Sequence, residues 1–257
     1  MSLLSPESLS AFLALTLLEI VLGIDNILFI TLLSNKLDAK NRKQAIRIGL
    51  ILAMGLRILL LLGLTLFIEM QEPLFSFQHP LVSLSPTGQS LILFLGGLFL
   101  IYKATKEIYE RVELPDDVQK THRQRSSLSL SKAIIQITAI NFVFSFDSIL
   151  TAVGMTNGLE HAVLIMGVAI VVSVLIMMLF AGPVGGFVSK HPSLQVLGMA
   201  FLLLIGFMLV TEAAHLSHAQ FLNRKIGSIP KGYLYFAIAF SLVVEFVNMR
   251  IRSRVRS

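Results

Sequence analysis

Apolar residues gather in seven runs, at about residues 11–33, 47–68, 89–105, 133–154, 161–184, 194–211 and 232–249, separated by stretches rich in Pro, Gly or charge. A helix rising 1.5 Å per residue needs about 17 to 25 apolar residues to cross roughly 30 Å of hydrocarbon, and each run meets that length. The pattern predicts an all-α polytopic membrane protein with seven transmembrane helices. Met1 to Ser10 carries Glu7 and no Lys or Arg, unlike the basic start of a secretory signal peptide, so the first run is expected to be retained.

If all seven runs cross, the hydrophilic stretches alternate sides, and their Lys and Arg content tests the count. The stretch 34–47, the segment 103–132, Lys190 and the tail from Arg250 to Arg256 hold seventeen basic residues between them. The opposite set holds three, Arg224, Lys225 and Lys231, while Arg57 falls inside the second run. Positive charge is retained on the cytoplasmic side, so the N-terminus is expected outside and the C-terminus in the cytoplasm. Six or eight crossings would spoil this partition. The longest polar stretch, Thr105 to Ser131, mixes both signs of charge and reads as a solvated cytoplasmic linker.

On either side of that linker the chain repeats itself. Leu18-Glu19-Ile20-Val21-Leu22-Gly23-Ile24-Asp25-Asn26-Ile27 superposes on Ile140-Asn141-Phe142-Val143-Phe144-Ser145-Phe146-Asp147-Ser148-Ile149 at an offset of 122. Glu19 then corresponds to Asn141, Gly23 to Ser145, Asp25 to Asp147 and Asn26 to Ser148. Each segment opens a group of three runs, and the two enter the membrane from opposite sides. The expected architecture is therefore a 3+3 inverted repeat plus one additional helix. Residues 1–104 form the first repeat, 105–131 the linker, 132–213 the second repeat, and 214–257 an outer loop, the seventh helix and the basic tail.

An ionised carboxylate at the middle of a transmembrane helix costs roughly 2.5 to 3.5 kcal/mol, so Glu19, Asp25 and Asp147 need compensation. They can be protonated, pair with a buried cation of the protein, or bind a cation from solution. Arg57 can neutralise one of them and is read as a structural partner. Seven residues apart on a helix share a face, which groups Glu19 with Asn26 and Asn141 with Ser148, while Asp25 and Asp147 point about 100° away from Asn26 and Ser148. A distortion at Gly23 or Ser145 would bring them together. The carboxylates with the Asn26 and Asn141 amides and the Ser148 hydroxyl make an oxygen site suited to Mn²⁺, Mg²⁺ or Ca²⁺. The candidate metal ligands are thus Glu19, Asp25, Asn26, Asn141, Asp147 and Ser148.

Other polar and special residues carry less. Glu212, His215 and His218 have a spacing able to gather a metal and are read as a polar helix end. Glu245, in the seventh run, either joins the ion pathway or pairs with the basic tail. Met54, Met155, Met177, Met178 and Met199 are read as packing residues. Gly96-Gly97 is expected to let two helices approach closely. Gly182-Pro183-Val184-Gly185-Gly186 is expected to end the fifth helix in a turn.

Composition narrows the function further. The 257 residues are 55% hydrophobic and only 14% charged, with mean hydropathy +0.80, too apolar for an ordinary solvated surface. The absence of Cys excludes disulfides and thiolate metal sites. The basic pI near 9.7 comes from short loops between apolar runs and not from one basic patch with interleaved aromatics, so nucleic acid is not expected as a partner. The expected partners are the lipid bilayer, a divalent metal ion, and a second copy or other membrane proteins; no prosthetic group is expected.

Over essentially its whole length the chain resembles the TerC family of bacterial membrane proteins, named for tellurium resistance and including manganese exporters. The resemblance rests on Leu18 to Asn26 and on Phe144-Ser145-Phe146-Asp147-Ser148 with Thr151-Ala152-Val153-Gly154. It implies a protein of the bacterial cytoplasmic membrane that exports Mn²⁺, with Glu19, Asp25, Asn26, Asp147 and Ser148 at the motif positions. Similar members often carry Asp where Asn141 stands, so this chain keeps an oxygen donor there and loses a charge. The sequence thus points to a secondary transporter rocking about a midplane site, with proton antiport a natural coupling. The rival is a non-transporting scaffold that helps assemble or metallate exported proteins. An enzyme is not expected: no HExxH or nucleophile with a His base lies within a run, and Ser148 beside Asp147 is not a catalytic set.

Overall fold

The computed structural model describes the chain except residues 1–4, 35–36, 38, 64–69, 80, 114–128, 157–158, 160, 223 and 256–257. The side chains of several helical residues, Asp25 and Asp147 among them, also lie outside the described part. Seven long α-helices dominate the described residues: α1 Pro6–Ser34, α2 Ala39–Leu62, α3 Gly88–Val112, α4 Leu130–Thr156, α5 Ala162–Lys190, α6 Pro192–Leu216 and α7 Lys231–Val255. Each apolar run read from the sequence overlaps one of them. Five segments, Asn41–Leu62, Leu130–Val153, Ala162–Lys190, Pro192–Leu216 and Lys231–Ile251, are long and apolar enough to cross a membrane.

Local chemistry explains several boundaries. Pro6 and Pro192 open α1 and α6, where the first helical N–H has no partner to lose. Thr87 caps α3 by accepting from the Ser90 N–H at 3.0 Å, while the Ser90 hydroxyl accepts from the Thr87 N–H at 2.9 Å. α3 then runs to Val112, so the first part of the stretch read as a linker is helical, and 114–128 lie outside the described residues.

Two expectations are corrected. The Gly182 to Gly186 segment does not end α5: the helix passes through Pro183 to Lys190. Pro183 removes one hydrogen bond, but unwinding the chain among apolar side chains would orphan several, and Ala181, Gly185 and Val188 remain buried on one packed face. Nor does Gly23 distort α1, which is continuous from Pro6 to Ser34, as α4 is through Ser145. Gly23 instead makes room for a neighbour. A Cβ there would stand 1.9 Å from the Met177 sulfur.

The described contacts form two compact units, which differ from the division along the sequence because each takes helices from both halves: residues 1–71 with 115–190, and 72–114 with 191–257. In the first unit, α1 packs chiefly on α5 and α2 on α4. Gly23 meets Met177 and Gly185 meets Thr31, so α1 and α5 run in the same direction. Gly49 meets Ile137, and Leu61 clusters with Ala152, so α2 and α4 are parallel as well. Where α1 and α5 begin and α2 and α4 finish, Leu15, Leu61, Ala152, Ile165, Met166, Ala169 and Ile170 form an apolar cluster. Toward the other end Ile30, Leu33, Leu50, Ala133, Ile137 and Val188 are buried.

In the second unit α3 lies antiparallel on α6, with Gly97 facing Val210 and Ile101 facing Gly206. The close approach expected at Gly97 is present: a Cβ there would fall 2.7 Å from the Gly206 carbonyl oxygen. α7 touches α6 lightly and exposes Tyr233, Phe236, Phe240, Val243 and Phe246, a surface suited to lipid. The sequence did not foresee a small antiparallel sheet, β1 Phe77–Gln78, β2 Val82–Leu84, β3 Gln220–Phe221 and β4 Arg224–Lys225 in that order. Strands of two or three residues carry too little alternation to be legible, and the β2–β3 pairing that joins the two hairpins links segments far apart in sequence.

The two kinds of glycine make a test. Gly97→Ala should cost about 1–3 kcal/mol, because the obstacle is backbone that cannot move aside. Gly182→Ala, with nothing within 4 Å of its added methyl, should be neutral or stabilising by up to about 1 kcal/mol. Thermal unfolding of both variants in detergent checks this, and equal destabilisation would refute the helix contact.

Candidate cation site

The six candidate ligands all lie on two helices of the first unit, Glu19, Asp25 and Asn26 on α1 and Asn141, Asp147 and Ser148 on α4. Glu19, Asn26, Asn141 and Ser148 are buried, at 1%, 4%, 3% and 1% exposure. Along each helix they fall between the apolar layers: between Leu15 and Ile30 on α1, and between Ile137 and Ala152 on α4. Arg57 on α2 and Ser173 on α5 occupy the same stretch of their helices, between Leu50 and Leu61 and between Ile170 and Val188. The first unit therefore has a polar layer with apolar layers on both sides of it.

Arg57 is 2% exposed, and its Nη1 donates to Glu19 Oε2. A guanidinium stays charged in proteins, so its burial requires an anionic partner. The structural role read for Arg57 is thereby given a partner, and Glu19, expected as a ligand, is already held by an internal cation. The contact engages one oxygen only. Glu19 Oε1 and Arg57 Nε have no hydrogen-bond partner among the described residues.

Further polar atoms are left open. Among the described residues, Asn26 Oδ1, Asn141 Nδ2, Thr16 Oγ1 and Thr31 Oγ1 are buried without a partner. Leaving such a group unpaired costs about 1–3 kcal/mol, so the Asn26 and Asn141 amides call for a ligand, water or another conformation. A half-turn of the Asn141 amide would present its oxygen in place of its nitrogen. The Ser148 hydroxyl donates to the Ser145 carbonyl at 3.2 Å, which leaves its oxygen lone pairs free to accept or coordinate. Thr16 and Thr31 were missed by the sequence reading. A single hydroxyl in an apolar helix usually bonds back to its own backbone, and only the structure shows that these two do not.

Residues outside this layer do not assemble into a metal centre. Among the described residues no three His, Cys, Asp or Glu side chains converge, and Glu212, His215 and His218 are no exception. α6 stops at Leu216 and His218 takes φ 49° beyond it, which removes the shared helical face that the spacing implied. Glu245 lies on α7 in the second unit, with Oε1 unpartnered.

Burial recurs between the halves. The buried positions Leu15, Glu19, Gly23, Asn26, Ile27 and Ile30 of α1 return 122 residues later as Ile137, Asn141, Ser145, Ser148, Ile149 and Ala152 of α4. On the next helices, Ala45, Leu50, Ala53, Arg57 and Leu61 of α2 return 120 residues later as Ile165, Ile170, Ser173, Met177 and Ala181 of α5.

Long apolar helices enclosing a buried polar layer define a multi-pass α-helical membrane protein. Residues 4–257 match the Integral membrane protein TerC family, and the chain belongs to that family. It is 41% identical over 249 residues to a UPF0053 protein of Haemophilus influenzae, covering 96% of this chain and 95% of that one. It is 42% identical over 244 residues to the UPF0053 inner membrane protein YgdQ of Escherichia coli, covering 95% and 93%. The UPF0053 inner membrane protein YoaE of Escherichia coli is 38% identical over 250 residues, which are 97% of this chain and 44% of that longer protein. With such relatives, the chain is a multi-pass protein of the inner membrane. No solved structure matches it.

Removing one member of the buried pair exposes its energetics. Arg57→Met should destabilise by about 3–5 kcal/mol, because it leaves Glu19 uncompensated. Arg57→Met with Glu19→Gln should recover most of that loss. Unfolding of the two single variants and the double variant in detergent measures the coupling, and additive effects would show that the pair is not formed.

Proposed function

We propose that this protein is a secondary transporter that exports a divalent metal cation, manganese foremost, by alternating access to the polar layer of α1 and α4. The observation that carries the proposal is the buried Asn26 Oδ1, without a hydrogen-bond partner among the described residues, in a layer that also buries Asn141 and Ser148. Asp25 and Asp147 supply the negative charge, and Asn26, Asn141 and Ser148 supply neutral oxygens. Such a donor set suits a hard cation. Other hard divalent cations fit the same chemistry.

Several features support the mechanism. The recurrence of buried positions from α1 and α2 to α4 and α5 is what two repeats of one design would leave. Exchanging the repeats also exchanges the α1–α5 and α2–α4 packings. With Lys and Arg weighting one set of loops, the repeats insert oppositely, the N-terminus lies outside and the C-terminus in the cytoplasm. The apolar cluster around Leu15 and Ile165 separates the polar layer from one end of the unit, which favours a carrier with gates over an open pore. Protons and metal compete for the same carboxylate oxygens, so metal leaving one way can be exchanged for protons entering the other.

Deleting the protein should selectively raise the cell's manganese content under manganese load, read by elemental analysis over a panel of divalent ions. Asp25→Asn or Asp147→Asn should lower export about 10- to 100-fold, the effect of losing one charged contact. A scaffold would tolerate these changes. Unchanged metal content on deletion would end the transport reading. In proteoliposomes, an imposed manganese gradient should move protons the opposite way, and metal flux without any pH change would remove the antiport.

A further inference from the structure

We infer that Arg57 is a built-in counter-cation that neutralises Glu19, so that the transport site carries two negative charges and matches one divalent ion without Glu19 as a ligand. The inference rests on the transport reading and specifies its electrostatics.

Of the three acids on α1 and α4, Glu19 is the one whose side chain is described, and it has a partner. Glu19 is bound by a guanidinium that cannot release its proton and that is itself almost wholly buried. A divalent ion on the free Oε1 would stand beside that fixed positive charge, with little water to screen the repulsion. On this proposal the net charge of the site comes from Asp25 and Asp147, the pair at equivalent places in the sequences of α1 and α4.

The second half of the chain supports the same count independently. Where Glu19 recurs the residue is the neutral Asn141, and where Arg57 recurs by burial the residue is the neutral Met177. The carboxylate and the guanidinium are therefore present together in one half and absent together from the other. Each half contributes one negative charge, from its Asp, beside a polar group of zero net charge. In this light Asn141 does not impoverish the site: an acid there would have no guanidinium opposite and would raise the charge to three.

Net charge decides how firmly a dehydrated cation is held, and transport requires release as well as binding. Glu19→Gln strands Arg57 and leaves one net negative charge, so KM for Mn²⁺ should rise about tenfold or more. Arg57→Leu leaves three, so KM should fall while kcat falls about tenfold, because the ion is released slowly. The double variant restores two and should return both constants to within about threefold of the original. A purely structural pair would not move KM in opposite directions.

The decisive measurement is Mn²⁺ uptake into proteoliposomes holding the full chain, with variants first shown to be monodisperse. A double variant that folds yet loses transport as fully as Asp25→Asn would overturn the inference and make Glu19 a ligand. Infrared difference spectra of the unmutated protein supply a test that needs no variant. The Mn²⁺-induced change in carboxylate stretch splitting should follow ¹³C-aspartate and not ¹³C-glutamate labelling. A change that follows glutamate overturns the inference as well. If the unmutated protein neither moves Mn²⁺ nor changes its spectrum, the transport reading itself fails, and the assignment of site charge fails with it.

Discussion

A guanidinium cannot shed its proton inside a protein, so a chain that buries Arg57 must bury a negative partner with it. In this molecule the partner is Glu19, and their contact joins α2 to α1 within the buried polar layer of the four-helix unit. Much of the surrounding architecture follows from accommodating that polarity. Apolar side chains occupy both ends of the unit, and hydroxyls and amides collect between them. An unpaired charge at that depth would favour opening the unit or drawing water into it. A paired charge lets the helices stay in contact.

Close helix contact is the second requirement, and small residues meet it. Hydrocarbon provides no hydrophobic drive for one helix to seek another, so packing must come from shape. Gly23 admits the Met177 sulfur, Gly185 admits Thr31, and Gly97 and Gly206 bring two backbones together. These contacts also set direction. They make α1 and α5 parallel and α3 and α6 antiparallel, relations that seven alternating crossings would produce.

Charge at the candidate site is better understood as a net quantity than as an inventory of acids. Glu19, Asp25 and Asp147 are alike in charge, each an expensive carboxylate within a long helix. Packing gives Glu19 a guanidinium beside it. The polar atoms of the layer left without partners among the described residues, on Asn26 and Asn141, mark where the unit retains capacity for a ligand. Family membership agrees with a membrane protein of this kind, and the proposed chemistry comes from the residues themselves.

The sequence by itself determined the helical membrane class, the approximate place of the seven long helices among the described residues, and the alignment of Glu19 with Asn141 and Asn26 with Ser148. Those properties follow from run length and spacing, which are local. It could not determine that α5 continues through Pro183, because the neighbours that keep the helix wound are distant in the chain. It missed the four-stranded sheet because strands of two or three residues leave no legible alternation. Above all, only the tertiary structure decided which carboxylate Arg57 neutralises and that Gly23 serves packing, since both depend on which helix stands opposite.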